Sequence, residues 1–506
     1  MASSLFLLDA ALVALSLYLF RQYLVQRNRP PVPPGPRALP LIGNALDMPT
    51  SHEWLAIAEW TKRWGDIIYV NVLGKQFIFL HSAEDATALL DKRGTMYSDR
   101  PTFPMGGELV GWEGSLALTQ YNDRFKEFRR YMSRAMGTKS ALRPFQGLIE
   151  TESRKFLKRL LQTPEEVHEH IRKTAGAIIM MMTYGYSVQE GKDPYVDMVD
   201  KAMENFTITT TPGAFLVDVL PILRHVPIWF PGAKFKKLAS EWREEVTEMV
   251  EAPFAMVKQQ VHEGSAAPSY ARHLLETETL TAEKEQNIKW SAASMYAGGA
   301  DTTVSAVYSF FLMMTLHPEI QRKAQEEVDR VVGKNRLPTF ADRENLPYVE
   351  AVINEVLRLN PVAPLGIPHR ASQDDIYKGY FIPKDTVIIA NIWALLRDPE
   401  TYPDPTAFNP DRYLGPDPNR NPREFVFGFG RRICPGLNLA DASIFIECAM
   451  ILATFDISKA VENGVTIEPS GEYTTGTVSH PKEFKCTIKP RTSKISALVL
   501  AESEQK

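Results

Sequence analysis

The chain has 506 residues, of which 44% are hydrophobic and 23% charged, an ordinary globular composition that excludes disordered and collagen-like classes. Its net charge of −4 gives no overall basic bias, and no finger or basic-zipper motif is present, so nucleic acid is excluded as a partner. Its 3 cysteines, Cys434, Cys448 and Cys486, are too few and too scattered for a disulfide framework or a structural zinc site, which suits a reducing compartment.

Residues 5–23 are apolar apart from Asp9, Ser16, Arg21 and Gln22, a run near the lower limit for crossing a bilayer. No Lys or Arg precedes it, whereas Arg21, Arg27, Arg29 and Arg37 follow it. That asymmetry predicts an uncleaved anchor with the amino terminus in the lumen and the rest in the cytosol. A signal peptide would want a basic segment ahead of the apolar run. Residues 30–36 carry five prolines and one glycine, cannot be helical, and read as a semi-rigid spacer. The expected organisation is an anchor over 1–26, a proline-rich hinge over 27–40 and a folded domain over 41–506. The sequon Asn205-Phe206-Thr207 falls on the cytosolic side of this topology and is expected to stay unmodified.

Further along, 67–72 and 77–80 are β-rich and flank Gly74-Lys75, a tight hairpin turn. Segments 377–382 and 386–391, joined through Pro383-Lys384-Asp385, suggest a second small sheet. Helices are expected over 141–161, 234–262, 281–316, 318–332, 348–359 and 437–455, which makes the fold mainly α with minor β. Length alone would divide the chain into two or more domains. The helix over 281–316 starts at Thr281 as N-cap and stops at His317-Pro318. At 1.5 Å per residue it would run roughly 50 Å, and its apolar second half should be buried. Within it Ala297-Gly298-Gly299-Ala300-Asp301-Thr302-Thr303 places small residues, an acid and hydroxyls where apolar side chains would be cheaper.

The most informative run is Phe427-Gly428-Phe429-Gly430-Arg431-Arg432-Ile433-Cys434-Pro435-Gly436. Its glycines allow close approach to a flat ligand, and a thiolate near a helix N-terminus is electrostatically favoured. The run matches F-x-x-G-x-R-x-C-x-G and resembles the cytochrome P450 superfamily. Glu355-Val356-Leu357-Arg358 is similar to that family's E-x-x-R motif, and Phe408-Asn409-Pro410-Asp411-Arg412-Tyr413 to its P-E-R-F segment, with Asp411 and Tyr413 in place of Glu and Phe. The Asp301-Thr302 pair is similar to its oxygen-activation motif. Residues 121–129 resemble its W-x-x-x-R helix, with Phe125 where Trp is usual, and Pro368-His369-Arg370 resembles a further haem contact. These matches run in the family's order from Tyr121 to Gly436, and the anchor and hinge extend the likeness over essentially the whole chain, which overrides the division into domains.

The resemblance implies a cytochrome P450 fold behind a transmembrane anchor, with haem b held by Cys434 as axial thiolate and packed by Phe427. Arg432, Arg129 and His369 would meet the haem propionates, while Glu355, Arg358 and Arg412 would form a buried network behind the thiolate. Asp301 and Thr302 would deliver protons. The implied reaction inserts one oxygen atom of O2 into a lipophilic small molecule, with electrons from NADPH through a microsomal NADPH–cytochrome P450 reductase. Arg129, Arg130, Arg423 and Arg431 are the candidate docking face for that partner. Pocket segments are expected at 103–118, 206–215, 296–303, 362–367 and 475–478, with Glu108 and Glu113 able to pair with an amine. The tail resembles fungal microsomal members of secondary metabolism, which implies a monomer on the endoplasmic reticulum membrane acting on a terpenoid, polyketide or indole. A haem-thiolate isomerase or dehydratase that does not use O2, and a non-catalytic membrane-anchored binding protein, stay open as alternatives.

Overall fold

Helical periodicity and capping residues account for most of the architecture. The computed structural model describes residues 29–211 and 213–503, so the expected anchor over 1–26 lies outside the described residues. The principal helices are α1 (Asp123–Met136), α2 (Gln146–Gln162), α3 (Val167–Tyr184), α4 (Pro194–Thr210), α5 (Lys234–Glu263), α6 (Tyr270–Thr277), α7 (Ala282–Ala300), α8 (Thr302–Leu316), α9 (Pro318–Val331), α10 (Pro347–Leu359) and α11 (Leu437–Thr454). Side-chain caps start several of them. Asn122 accepts from the Phe125 N–H, Thr281 from Lys284 and Asp193 from Tyr195 and Val196, each satisfying an otherwise orphaned backbone donor. Proline occupies the first turn of α4, α9 and α10, where its missing N–H costs nothing.

Three expectations change. The helix read over 281–316 is two helices, broken at Asp301 (φ −115°, ψ −41°). The helix read over 141–161 begins only at Gln146, because the 3-10 turn Arg143–Phe145 precedes it. Helices α3 and α4 were not among the expected ones: the Ile178-Ile179-Met180-Met181-Met182 run of α3 is apolar all round and shows no clear face.

The sheets also differ in detail. Strands β1 (Ile67–Val72) and β2 (Lys75–Leu80) form the expected hairpin, but the turn is Leu73-Gly74, both at positive φ (49° and 90°), the geometry that matches strand twist. The segment 377–382 is not one strand. It holds the turn of a hairpin between β4 (Asp375–Tyr377) and β5 (Tyr380–Ile382). Strand β6 (Val387–Ala390) instead joins the first sheet, parallel to β2 and antiparallel to β3 (His369–Arg370), in the order β1-β2-β6-β3. The proline-rich stretch does not stand off from the domain: the Phe381 N–H donates to Pro31 O (2.8 Å) and the Tyr69 N–H to Pro34 O (2.9 Å). A Cβ on Gly35 would come within 1.9 Å of Tyr69 O, so only glycine lets the chain lie this close.

Helices α8 and α11 form the centre. Every residue from Thr303 to Thr315 and from Asp441 to Thr454 is buried. One connected apolar cluster includes residues from Met105 to Val499, so the stacked helices share a core, and two smaller clusters lie around the β1-β2-β6-β3 sheet. Among the described residues, α11 is the helix long and apolar enough to cross a membrane; its burial makes it a core helix.

Candidate functional site

The loop before α11 holds Cys434 by backbone geometry. Gly428 and Gly430 adopt φ of 78° and 50°, which L-residues with side chains resist. At Gly430 a Cβ would also sit 2.5 Å from Leu90 O. The Cys434 N–H donates to Phe427 O (2.8 Å), closing the loop so that Cys434, Pro435 and Gly436 line one side of a central cavity of about 350 Å³. The sulfur is accessible at that wall yet deep in the protein. Burial therefore pushes the thiol up, opposed by the Gly436 N–H and by Arg129. Phe427 lines the same wall.

Four basic side chains, Arg100, Arg129, His369 and Arg432, line the cavity. Arg432 donates to Ser98 O (2.7 Å) and Thr119 O (2.7 Å) and lies 3.9 Å over the Phe125 ring. Burial pulls it down to about 10. Arg129 donates to Ile433 O (2.6 Å), next to the thiol. His369 Nδ1 lies 2.7 Å from Tyr97 O, and burial together with Arg100 and Arg432 disfavours its charge. Arg100 was missed in the sequence, where one arginine before a proline makes no pattern. It donates to Ala117 O (2.9 Å), Ile367 O (2.7 Å) and Pro368 O (2.7 Å), and burial plus repulsion from Arg432 disfavours its charge. The neighbouring carboxylate, Asp99, is engaged by Arg370. A wall with an excess of buried cations calls for an anionic ligand. With an accessible thiol and apolar walls, this donor set fits haem, whose propionates supply the missing charge.

From the helix break, Gly298, Gly299, Thr302, Thr303 and Ala306 line the same cavity. A Cβ on Gly298 would meet nothing within 4 Å, whereas one on Gly299 would lie 2.8 Å from Ile179. The first glycine leaves open space and the second lets α7 approach α3. Thr302 Oγ1 donates back to Gly298 O (2.8 Å). Asp301 is not in the lining; its Oδ1 lies 3.1 Å from His480 Nε2. The structure therefore places Thr302 at the cavity and turns its expected acidic partner away.

Behind the thiol loop, Glu355 and Arg358 have no exposed side-chain surface. Arg358 donates through Nε to Glu355 Oε2 (2.8 Å) and through Nη2 to Oε1 (2.9 Å). Arg412 Nε (3.0 Å) and the Asn409 N–H (2.8 Å) also donate to Oε1. Tyr413, which stands in place of the family's Phe, is a working member: its hydroxyl donates to Glu355 Oε2 (3.0 Å). A second set was missed. Arg423 and Arg343 pair with Glu350 (3.1 and 2.6 Å) and with Asp441 (2.8 and 2.7 Å), tying α10 to α11. Charges distributed over distant segments carry no sequence spacing that would reveal them.

Several expectations are corrected here. Arg423 is occupied in that set and Arg129 faces the cavity, so of the proposed docking residues Arg130 and Arg431 are the exposed ones. Glu108 accepts from Arg224 (2.7 and 2.9 Å), and neither Glu108 nor Glu113 lines the cavity. No carboxylate is thereby offered to an amine from 103–118. All five expected pocket segments contribute, through Trp112, Phe206, Ala297, Val362 and Thr477 among others. Asn205 is buried and its amide donates to Glu245, out of reach of a glycosyltransferase. Glycosidase treatment is expected to leave the mass unchanged.

Glu447 on α11 was also missed. It lines the cavity, is 1% exposed, and neither carboxylate oxygen has a hydrogen-bond partner. Burial raises it to about 8, against a weaker pull from Arg159. With a folded value above the unfolded one, the folded state binds more protons, so stability falls as pH rises from about 4.5 towards 8. The shift corresponds to roughly 3 kcal/mol by pH 7. Glu447→Gln is expected to raise the melting temperature at pH 8 and to change it little at pH 5, as differential scanning fluorimetry would show.

The geometry has counterparts among known proteins. The family model described as Cytochrome P450 matches residues 33–488. The chain is 50% identical to "Cytochrome P450 monooxygenase 208" of Postia placenta, over 97% of this chain and 96% of that one. It is 45% identical to "Cytochrome P450 monooxygenase claR" of Ampulloclitocybe clavipes, over 97% and 92% of the two chains. With "Cytochrome P450 monooxygenase CLM2" of Gibberella zeae the identity is 44%, over 95% and 93%.

Proposed function

Because this chain belongs to the cytochrome P450 family, whose members use haem, O2 and NADPH-derived electrons, we propose that it is a monooxygenase that hydroxylates or epoxidises a neutral lipophilic small molecule. The single observation that carries this reading is Cys434 opening onto one cavity shared with the cationic wall and with Thr302. Cys434 would hold the haem iron through its sulfur, and Arg100, Arg129, Arg432 and His369 would hold the propionates. Bound there, haem supplies the activation of O2 and the transfer of one oxygen atom to substrate. Phe206, Trp112, Val362 and Val478 exclude water and orient the substrate by shape and apolar contact. Thr302 holds a proton at the cavity wall. Glu355, Arg358 and Arg412 keep the thiol loop in place.

The electrons come from NADPH through a membrane-bound reductase, which meets the exposed basic side chains Arg130 and Arg431. Residence on the endoplasmic reticulum membrane, with a single anchor over 1–26 and a cytosolic monomeric domain, is supported by an exposed apolar face. Leu41, Leu46, Leu216, Ile222, Ile228, Trp229 and Phe230 are all exposed, and Ala45, Met48 and Val219 pack against one small apolar cluster, which anchors two of these segments on the same part of the fold. A substrate from fungal secondary metabolism, a terpenoid, polyketide or indole, suits the apolar side chains Trp112, Phe206, Val362 and Val478.

The test is reconstitution of the haem-loaded protein with reductase, NADPH and a panel of those three substrate classes. Product formation that needs NADPH and O2 supports the reading. Turnover without NADPH would identify an isomerase or dehydratase, and a missing thiolate-type ferrous-CO spectrum a binding protein. In the same assay Thr302→Ala is expected to keep consuming NADPH while product drops by about tenfold or more and peroxide replaces it. Unchanged coupling would remove Thr302 from the proton path.

A further inference from the structure

The acid expected to serve the cavity does not face it, and what it faces instead is a histidine from the far end of the chain. Asp301 Oδ1 is 3.1 Å from His480 Nε2, and each of the two side chains is 20% exposed. His480 sits on a strap sewn across the helix break. The Ser479 N–H donates to Val362 O (2.9 Å), Ser305 Oγ to Ser479 O (2.6 Å), and the His480 N–H to Thr474 Oγ1 (2.9 Å). Thr477 and Val478 on the same strap line the cavity, so the strap spans from the substrate wall to the partly exposed histidine. The second imidazole nitrogen, Nδ1, is buried and has no partner, which leaves it free to take a proton from an entering water. The other charged groups around Asp301 are Arg172, which pairs with Asp200 at 2.7 Å, and Glu169 beside Arg172. Arg172 is occupied by Asp200, and among the described residues His480 is the basic group paired with the Asp301 carboxylate.

We propose that His480 passes protons from solvent to Asp301, and thence to Thr302, in the monooxygenase reaction; this rests on the function proposed above. A hydronium ion from solvent gives a proton to Nδ1 and is left as water; the Nε2–H bond breaks in concert, and that proton bonds to Asp301 Oδ1. The carboxylic acid so formed turns at the helix break and donates beside Thr302. The imidazole is left as its Nδ1–H tautomer and returns by exchange with water, so one proton enters and no electron moves. His480 is thereby a positioning and relay residue that acts through Asp301.

His480→Gln separates relay from scaffolding, since the amide can still donate to Asp301 but cannot take up a proton. The haem-loaded variant is expected to keep its thiolate-type ferrous-CO spectrum and its spectral substrate affinity. Product per NADPH should fall about tenfold or more, with a larger solvent isotope effect on product formation. Coupling and isotope effect within twofold of the parent protein would overturn the relay. A second measurement does not use turnover: peptide-mapped carbethoxylation of His480 by diethyl pyrocarbonate in the holoenzyme. Asp301→Ala removes the carboxylate that occupies Nε2, so the rate should rise. An unchanged rate would overturn the pairing. If the parent protein itself forms no NADPH-dependent product, the monooxygenase reading has failed rather than the relay.

Discussion

Cys434→Ser is expected to abolish the thiolate-type Soret band and to reduce NADPH-dependent product to background. The parent site is arranged around sulfur. The thiol opens at the cavity wall, burial alone would keep it protonated, and the Gly436 N–H and the nearby Arg129 pull the other way. An iron ligand completes that pull, because metal binding and thiol deprotonation are coupled. A serine hydroxyl fits the same space but does not ionise there, and its oxygen lacks the electron donation by which thiolate favours O–O cleavage. The loop itself should survive, since Gly428, Gly430 and the Cys434 N–H to Phe427 O bond are backbone features. Absorption spectra of the purified variant, with and without CO, are the measurement. Retention of the parent band would falsify the assignment of Cys434.

Glu355→Ala is expected to give little or no haem-loaded protein. Glu355 accepts from Arg358 twice, and from Arg412, Tyr413 and Asn409. Truncation leaves two buried guanidiniums with their carbonyl acceptors but no countercharge. Removing one member of a buried ionic set costs about 3–5 kcal/mol, a large share of the roughly 5–15 kcal/mol that stabilises a domain. Arg358 also holds Leu396 O, Pro405 O and Ala407 O (3.0, 2.8 and 3.1 Å), so the loss spreads into 396–407. The haem-to-protein ratio of the variant tests this directly; a ratio equal to that of the parent would remove the network from haem retention. Tyr413→Phe removes one neutral donor to Glu355 and should cost only about 1–2 kcal/mol, with haem content preserved.

Local chemistry made parts of this protein legible in advance. The glycines around Cys434, the Thr281 cap, the proline at the start of α9, and the Glu355–Arg358 spacing each act within one or two turns of backbone, where the sequence lists all the participants. Arg100, Glu447 and the Arg343–Glu350–Arg423–Asp441 set were not legible. Each depends on a partner or a cavity brought close by the fold, and an isolated arginine or glutamate has no spacing to betray burial. Asp301 shows the boundary well. Its place beside Thr302 was readable, but the direction of its carboxylate depends on His480, far away in the chain and delivered by a strap bonded to Ser305 and Val362.

By itself, then, the order of residues determined the helical class, the thiol-bearing loop and the acid–hydroxyl pair, because backbone freedom, capping and helix-face geometry are short-range. Only the tertiary structure decided which charges became buried together, which acid faced the cavity and which arginines were left at the surface. Those outcomes come from desolvation and long-range contact, which are properties of the packed molecule.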